Sequence, residues 1–183
     1  VIFLYGVALG TLIGYLVGGR VGRLVTLPLR SPWLLLLALV IQLLIFPLFT
    51  DGPLIPYGTA YFHGFSYFLV LLWLARNLRL RPLWALVCGA LLNAAAILSN
   101  GGFMPASAEA LARAGLQTSA AHLLADGTYG NVIRMGADTH LNVLGDWIAI
   151  PSWIPLATAL SIGDLMIMAG LVWLIARGMK GYA

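Results

Sequence analysis

The stretch "LWALVCGALLNAAAILSNGGFMPAS" (residues 83–107) decides the fold. From Leu83 to Ser99 it carries no charge, and its length and apolarity suit a helix immersed in hydrocarbon. It then stops. Asn100, Gly101 and Gly102 tolerate the left-handed conformation that ends helices, and Pro105 prevents the helix from resuming. A more polar segment of some fifty residues comes next, so this one stretch predicts a buried helix feeding an external loop.

Composition extends that reading to the whole chain. Of 183 residues, 61% are hydrophobic and 9% charged, and the mean hydropathy is +0.96. That leaves too little polar surface for a soluble globule of this size. The expected fold class is an all-α membrane protein, a single integral domain over residues 1–183. A bilayer core about 30 Å thick takes about 20 helical residues to cross. Five apolar runs approach that length, at about residues 1–19, 32–49, 58–75, 83–99 and 154–176, with an outer segment at 100–153. No run shows the alternation of a barrel strand.

Charge predicts the orientation. Arg20, Arg23, Arg30, Arg76, Arg79, Arg81, Arg177 and Lys180 fall on one side of these runs. Arg113 and Arg134 fall on the other, with Asp51, Glu109, Asp126, Asp138 and Asp146. The positive-inside bias puts the amino terminus outside and the carboxyl terminus in the cytoplasm. The net charge of +4 then reflects anchoring beside anionic lipid. No basic stripe interleaved with aromatics points to nucleic acid. The first run has its arginines after it, the wrong polarity for a secretory signal. Cys88 is the single cysteine, so no internal disulfide forms, and it reads as a small packed hydrophobe.

Gly6, Gly10, Gly14 and Gly18 repeat every fourth residue, a stripe that lets helix backbones approach closely in lipid. It fits either internal packing or a seam for another subunit. Ala85 and Gly89 repeat the spacing in the fourth run, which makes runs one and four the expected neighbours. Pro47, Pro53 and Pro56 should end the second run and shape the loop after it. Trp33, Trp73, Trp84, Trp153 and Trp173, with Tyr57 and Tyr61, are expected at the membrane interfaces.

In the outer segment, Ser107 can cap a short helix through Arg113, ending at Gly115. Thr118 or Ser119 can cap a second through Ala125, closed by Asp126 and Gly127. These short helices are expected flat on the outer surface, with the rest to about residue 153 forming an ordered, mostly irregular flap. The segments "NGGFMP", "DTHLNVLGD" and "SIGD", with "PWLLLLALVIQLLIF" and "LLNAAAILSNGG", resemble a family of small bacterial polytopic membrane proteins of unknown function. The likeness covers nearly the whole chain. It implies the architecture and a bacterial inner membrane, supplies no mechanism, and marks Asn100, Gly101, Gly102, Met104, Pro105, Asp138, Thr139, Gly145, Asp146 and Asp164 as the informative set. The chain departs from it at His140, where the resemblance implies a basic residue.

Asp164 is the one acid expected at membrane depth, about a third of the way into the last run. There it is either a polar clasp to backbone, Ser161, Asn93 or Gln42, or simply a sign of a shallower helix start, or a proton- or ligand-handling group, or a contact to another subunit. Asn100, Asp138, Asp146 and Asp164 form the candidate polar site. His63, Asp138 and His140 are weak candidates for metal ligands, at a spacing that matches no strong motif. There is no GxSxG elbow, HExxH, Walker loop, GxGxxG opening a helix, or CxxC. No catalytic residue, metal or cofactor is expected, beyond lipid or quinone held at the edges. The functional expectation is a non-catalytic accessory or scaffold subunit of a larger membrane complex, of the electron-transfer or photosynthetic kind, packed against partner helices and lipid. The alternative is a membrane enzyme or binding protein for an amphiphilic lipid, with its site under the outer flap.

Overall fold

The helix that ends at Asn100 packs against the last helix of the chain, and that crossing organises the molecule. The computed structural model describes residues 2–45, 55 and 57–181. It is mostly helical. α7 (Ile162–Lys180) is the axis, with α1 (Ile2–Leu16) and α4 (Leu83–Ser99) both packed along it. α2 (Trp33–Ile45) packs on α3 (Thr59–Arg76), which in turn meets α4.

The glycine stripe of α1 faces α7, not α4 as expected. A Cβ at Gly10 would lie 2.9 Å from the Ile175 Cβ and 3.1 Å from the Val172 Cα; Gly6 sits under Leu171 and Gly14 under Met179. Gly18 is not part of the seam. It lies beyond the helix end at φ +80, in open space, and serves as a stop. α4 uses a different face of α7, where Gly89 meets Gly163 and Gly170 meets Leu86, while Ala85 is half-buried. Small residues on both partners thus let α7 take two close neighbours, and α1 and α4 meet it separately.

Leu34 and Ala38, Leu69, Trp73 and Leu74, and Leu83, Leu86 and Ala90 form the helical core with Leu174. Trp73 is therefore a core residue and not an interfacial anchor; it lies one helical turn from Leu69 on the same buried face. Cys88, expected to pack inside, is exposed on α4. Gln42 donates to the Ser66 hydroxyl at 2.5 Å, joining α2 to α3. Pro47, Pro53, Pro56 and Asp51 lie outside the described residues.

Helix lengths revise the expectation of five spans. Among the described residues one helix, Ile162–Lys180, is long and apolar enough to cross a membrane. Ile2–Leu16, Trp33–Ile45 and Leu83–Ser99 are apolar but shorter, and the 15 residues of α1 reach only about 22 Å at the usual rise. α3 is longer, but His63, Tyr61, Tyr67 and Arg76 dilute its hydropathy. The last helix starts at Ile162 and not near 154, because the apolar residues before it turn at Pro155 and Leu156 (φ +60) and then pair as a strand.

The outer segment is not all-helical. β1 (Met104–Ala106) runs parallel to β3 (Val132–Arg134), which pairs antiparallel with β2 (Thr128–Tyr129) through a turn at Gly130. β4 (Ile148–Ala149) pairs antiparallel with β5 (Ala159–Leu160). Between β1 and β2 lie α5 (Ala108–Arg113), capped as expected by the Ser107 hydroxyl accepting from the Ala110 amide at 3.2 Å, and α6 (Gln117–Asp126). α6 begins a residue or two before the expected caps, so Thr118 and Ser119 lie in its first turn; Gly127, in the left-handed region, closes it. Ala106, Ala110, Leu111, Ala120, Leu123 and Ala159 give the flap a core of its own.

The bundle has two chemically different ends. At one, the Arg20 amide donates to the Met179 carbonyl at 2.8 Å and the Arg23 guanidinium to the Lys180 carbonyl at 2.7 Å, while the Asn77 side chain makes two hydrogen bonds to the Arg30 backbone, at 2.7 and 2.9 Å. At the other lies the flap, where the Tyr5 hydroxyl donates to the Pro155 carbonyl.

Candidate functional site

Polar side chains converge where α4 crosses the start of α7 beneath the flap. The crossing needs two glycines. A Cβ on Gly89 would lie 2.3 Å from the Gly163 carbonyl oxygen, and one on Gly163 would lie 2.0 Å from the Asn93 Oδ1. With neither present, Asn93 reaches the first turn of α7. Ser161 caps that turn: its hydroxyl accepts from the Asp164 amide at 2.9 Å, and the Asp164 Oδ2 accepts from the Ser161 amide at 3.2 Å. This is a reciprocal capping box. Asn93 closes the network. Its Nδ2 donates to the Asp164 Oδ1 at 2.8 Å while its Oδ1 accepts from the Ser161 hydroxyl at 2.9 Å.

Asp164 therefore sits at the third position of α7 and not deep within it. Of the alternatives open for it, the geometry contains both the clasp to Ser161 and Asn93 and the shallower helix start. Its carboxylate also lies at the end of the helix where the backbone dipole favours negative charge.

Asp146 approaches the same place from the flap. Its amide donates to the Pro105 carbonyl at 2.8 Å and its carbonyl accepts from the Ser107 amide at 2.9 Å, so its backbone extends the β1 edge. Gly145 makes this possible, because a Cβ there would lie 2.4 Å from the Pro105 carbonyl oxygen. The Asp146 Oδ1 is buried and has no hydrogen-bond partner among the described residues. Burial, and secondly the negative charge of Asp164, push the Asp146 carboxyl up to about 8. At neutral pH it is mostly protonated, hence a hydrogen-bond donor beside an ionisable neighbour. Tyr67 from α3 lies within the field of both carboxylates and beside the Asn93 side chain. His63, one turn earlier and buried, stacks on it with ring centroids 5.2 Å apart.

Of the expected polar site, then, the fold unites Asp146 and Asp164 and leaves Asn100 and Asp138 elsewhere. Asn100 is a clamp. It donates to the Ala96 carbonyl at 2.7 Å and the His140 carbonyl at 2.8 Å, and accepts from the His140 amide at 2.8 Å. The loop it holds is internally braced, with Thr139 donating to the Asn142 Oδ1 at 2.7 Å and Asn142 to the Gly136 carbonyl at 2.8 Å. Asp138 and the His140 side chain are exposed on that loop. His63 is far along the chain on α3, and among the described residues no three His, Cys, Asp or Glu side chains come together as a metal site. Tyr67 is not legible as a site residue from sequence; nothing in its spacing links it to the flap. A groove of about 650 Å³ nearby is lined by Ser107, Glu109, Arg113, Trp147 and Pro151 among others, and not by the carboxyl pair.

A family model described as a family of unknown function (DUF5317) matches residues 26–176. No curated protein and no solved structure matches the chain. The matched segment contains Tyr67, Asn93, Asp146, Ser161 and Asp164, and leaves out α1 with its glycine seam.

Proposed function

The chain belongs to the DUF5317 family, and we propose that it is an integral protein of a bacterial cytoplasmic membrane acting as a non-catalytic accessory subunit. In this reading α7 spans the bilayer and the shorter apolar helices are embedded beside it. The amino terminus and flap face outward, and the arginine-bearing connections face the cytoplasm. Partner helices of a larger complex and lipid or quinone cover its sides.

One observation carries the reading. Large apolar side chains on all four of α1 to α4 point outward, with Leu4, Leu16, Leu36, Phe68 and Leu98 each more than half exposed. Water does not tolerate so extensive an apolar surface, whereas hydrocarbon or a partner helix does. The polar cluster supports a structural role, since Asn93, Ser161 and Asp164 are engaged with one another. Extraction of native membranes with alkaline carbonate, followed by native mass spectrometry in mild detergent, tests the proposal. The expected result is a chain retained in the membrane and found in a particle larger than itself; a chain released by carbonate, or a stable lone monomer, refutes it.

A second reading rests on the unpartnered Asp146 Oδ1: the flap covers the polar head of an amphiphile that accepts a hydrogen bond from the Asp146 carboxyl. A monomer carrying one defined lipid, lost in Asp146→Ala and kept in Asp146→Asn, which still donates, favours that reading over the subunit.

A further inference from the structure

A second cavity lies at the opposite end of the bundle, about 230 Å³ in volume and lined by Arg79, Leu80, Arg81, Pro82, Trp173 and Arg177. Its lining brings the guanidinium-bearing Arg79, Arg81 and Arg177 together from the turn before α4 and from α7. From this we propose that the pocket is a binding site for the phosphate of an anionic lipid headgroup, resting on the membrane reading above.

The cations are held in place by the fold. The turn joining α3 to α4 is closed by successive backbone bonds, the Leu80 amide to the Asn77 carbonyl and the Leu83 amide to the Leu80 carbonyl, both at 2.9 Å. Asn77, fully buried, ties that turn to the Arg30 backbone and to the Trp73 carbonyl at 2.8 Å. The Arg79 guanidinium donates to the Pro28 carbonyl, which fixes its direction. Arg81 is exposed two residues on. Arg177 comes from α7, one turn after Trp173 and so on the same face. Guanidinium groups match phosphate oxygens in geometry as well as charge.

Trp173 points to a lipid and not to free phosphate. The residue is 48% exposed and lies on the hydrocarbon side of Arg177, where an acyl chain descending from a headgroup would run. Trp84, at the start of α4, is also exposed, its indole nitrogen donating to the Leu78 carbonyl at 3.0 Å. Trp33 is exposed at the start of α2, near the same end. Such rings mark the headgroup level of a bilayer.

The test uses the purified full chain in mild detergent, with phosphatidylglycerol, phosphatidylcholine or inorganic phosphate added separately and adducts read by native mass spectrometry. Phosphatidylglycerol should be retained over phosphatidylcholine, and Arg81→Gln or Arg177→Gln should each weaken its retention about fivefold. Arg81→Lys, which keeps the charge but not the planar fork, should lose less binding than Arg81→Gln, which separates loss of charge from loss of fold, and Arg134→Gln, on the flap, should change nothing. Equal retention of both lipids, no effect of the arginine substitutions, or arginine-dependent binding of inorganic phosphate without phosphatidylglycerol would each overturn the proposal. Carbonate release of the chain from membranes would instead sink the membrane reading on which it rests.

Discussion

Substituting Asp146 by Asn should abolish a pH dependence that the native protein carries. The Asp146 carboxyl, raised to about 8 by burial and by Asp164, returns to about 3.9 when the chain unfolds. Between those values the folded state holds a proton that the unfolded state has released. The unfolded chain binds fewer protons, so stability falls as pH rises through this window, by at most about 1.4 kcal/mol per pH unit. The penalty is absent below about pH 4 and complete above about pH 8. From pH 6 to pH 8 the change is about 2.3 kcal/mol, or about 5–9 °C in Tm for a chain of this size. The amide of the Asp146→Asn protein would carry no charge at any pH, and it is close in shape to the protonated acid. Thermal unfolding in mild detergent at a series of pH values should give a falling Tm for the native chain and a nearly flat one for Asp146→Asn, the two converging towards pH 4. A flat native profile from pH 5 to 8, or the same slope in both proteins, would refute the assignment of a buried protonated Asp146.

Other perturbations separate the packing from the polar network. Asn93→Ala removes the donor to Asp164 and the acceptor for Ser161, and should lower stability by about 2–3 kcal/mol because a charged group loses a bond; a change below half of that in chemical denaturation would show the clasp to be incidental. Gly10→Val pushes into Ile175 and Val172 and should cost about 1–3 kcal/mol by overpacking, weakening a Cys crosslink engineered between α1 and α7. Gly18→Ala meets no atom and carries only the strain of a positive φ, so it should leave that crosslink intact. Asn100→Ala should free the 136–142 loop, raising its amide exchange while α4 and α7 keep theirs; unchanged exchange there would contradict the clamp.

Much of this architecture is legible in the residues, and the failures have physical causes. The Leu83–Ser99 helix and its stop can be read because an uncharged run meets Asn and two glycines, and Gly101 and Gly102 do adopt positive φ. The glycine stripe announces a close helix contact, but spacing alone does not say which helix comes close, and α7 rather than α4 does. The start of α7 escapes a count of apolar residues because Ile154, Leu156, Ala157, Ala159 and Leu160 are as apolar as a helix interior. The true signal is the Ser161 and Asp164 pair three residues apart, a capping box opening an apolar run. Two- and three-residue strands carry too little alternation to register. Trp73 looks interfacial by its place in the run, yet its phase with Leu69 assigns it to the core. Asp146 and Asp164 both stand out in the sequence, but their meeting depends on Gly145 and Gly163 tolerating close backbone contact, and Tyr67 joins them only through the packing of α3 on α4.

The central claim is that the flap and the arginine-bearing turns lie on opposite sides of a membrane. Single cysteines introduced as Asp138→Cys and as Arg76→Cys, each in a Cys88→Ser background, can be challenged in intact cells with an impermeant thiol reagent. The account predicts that the first reacts at once and the second only after the membrane is permeabilised. Reaction of the Arg76→Cys protein in intact cells, or equal reaction of both, would contradict it.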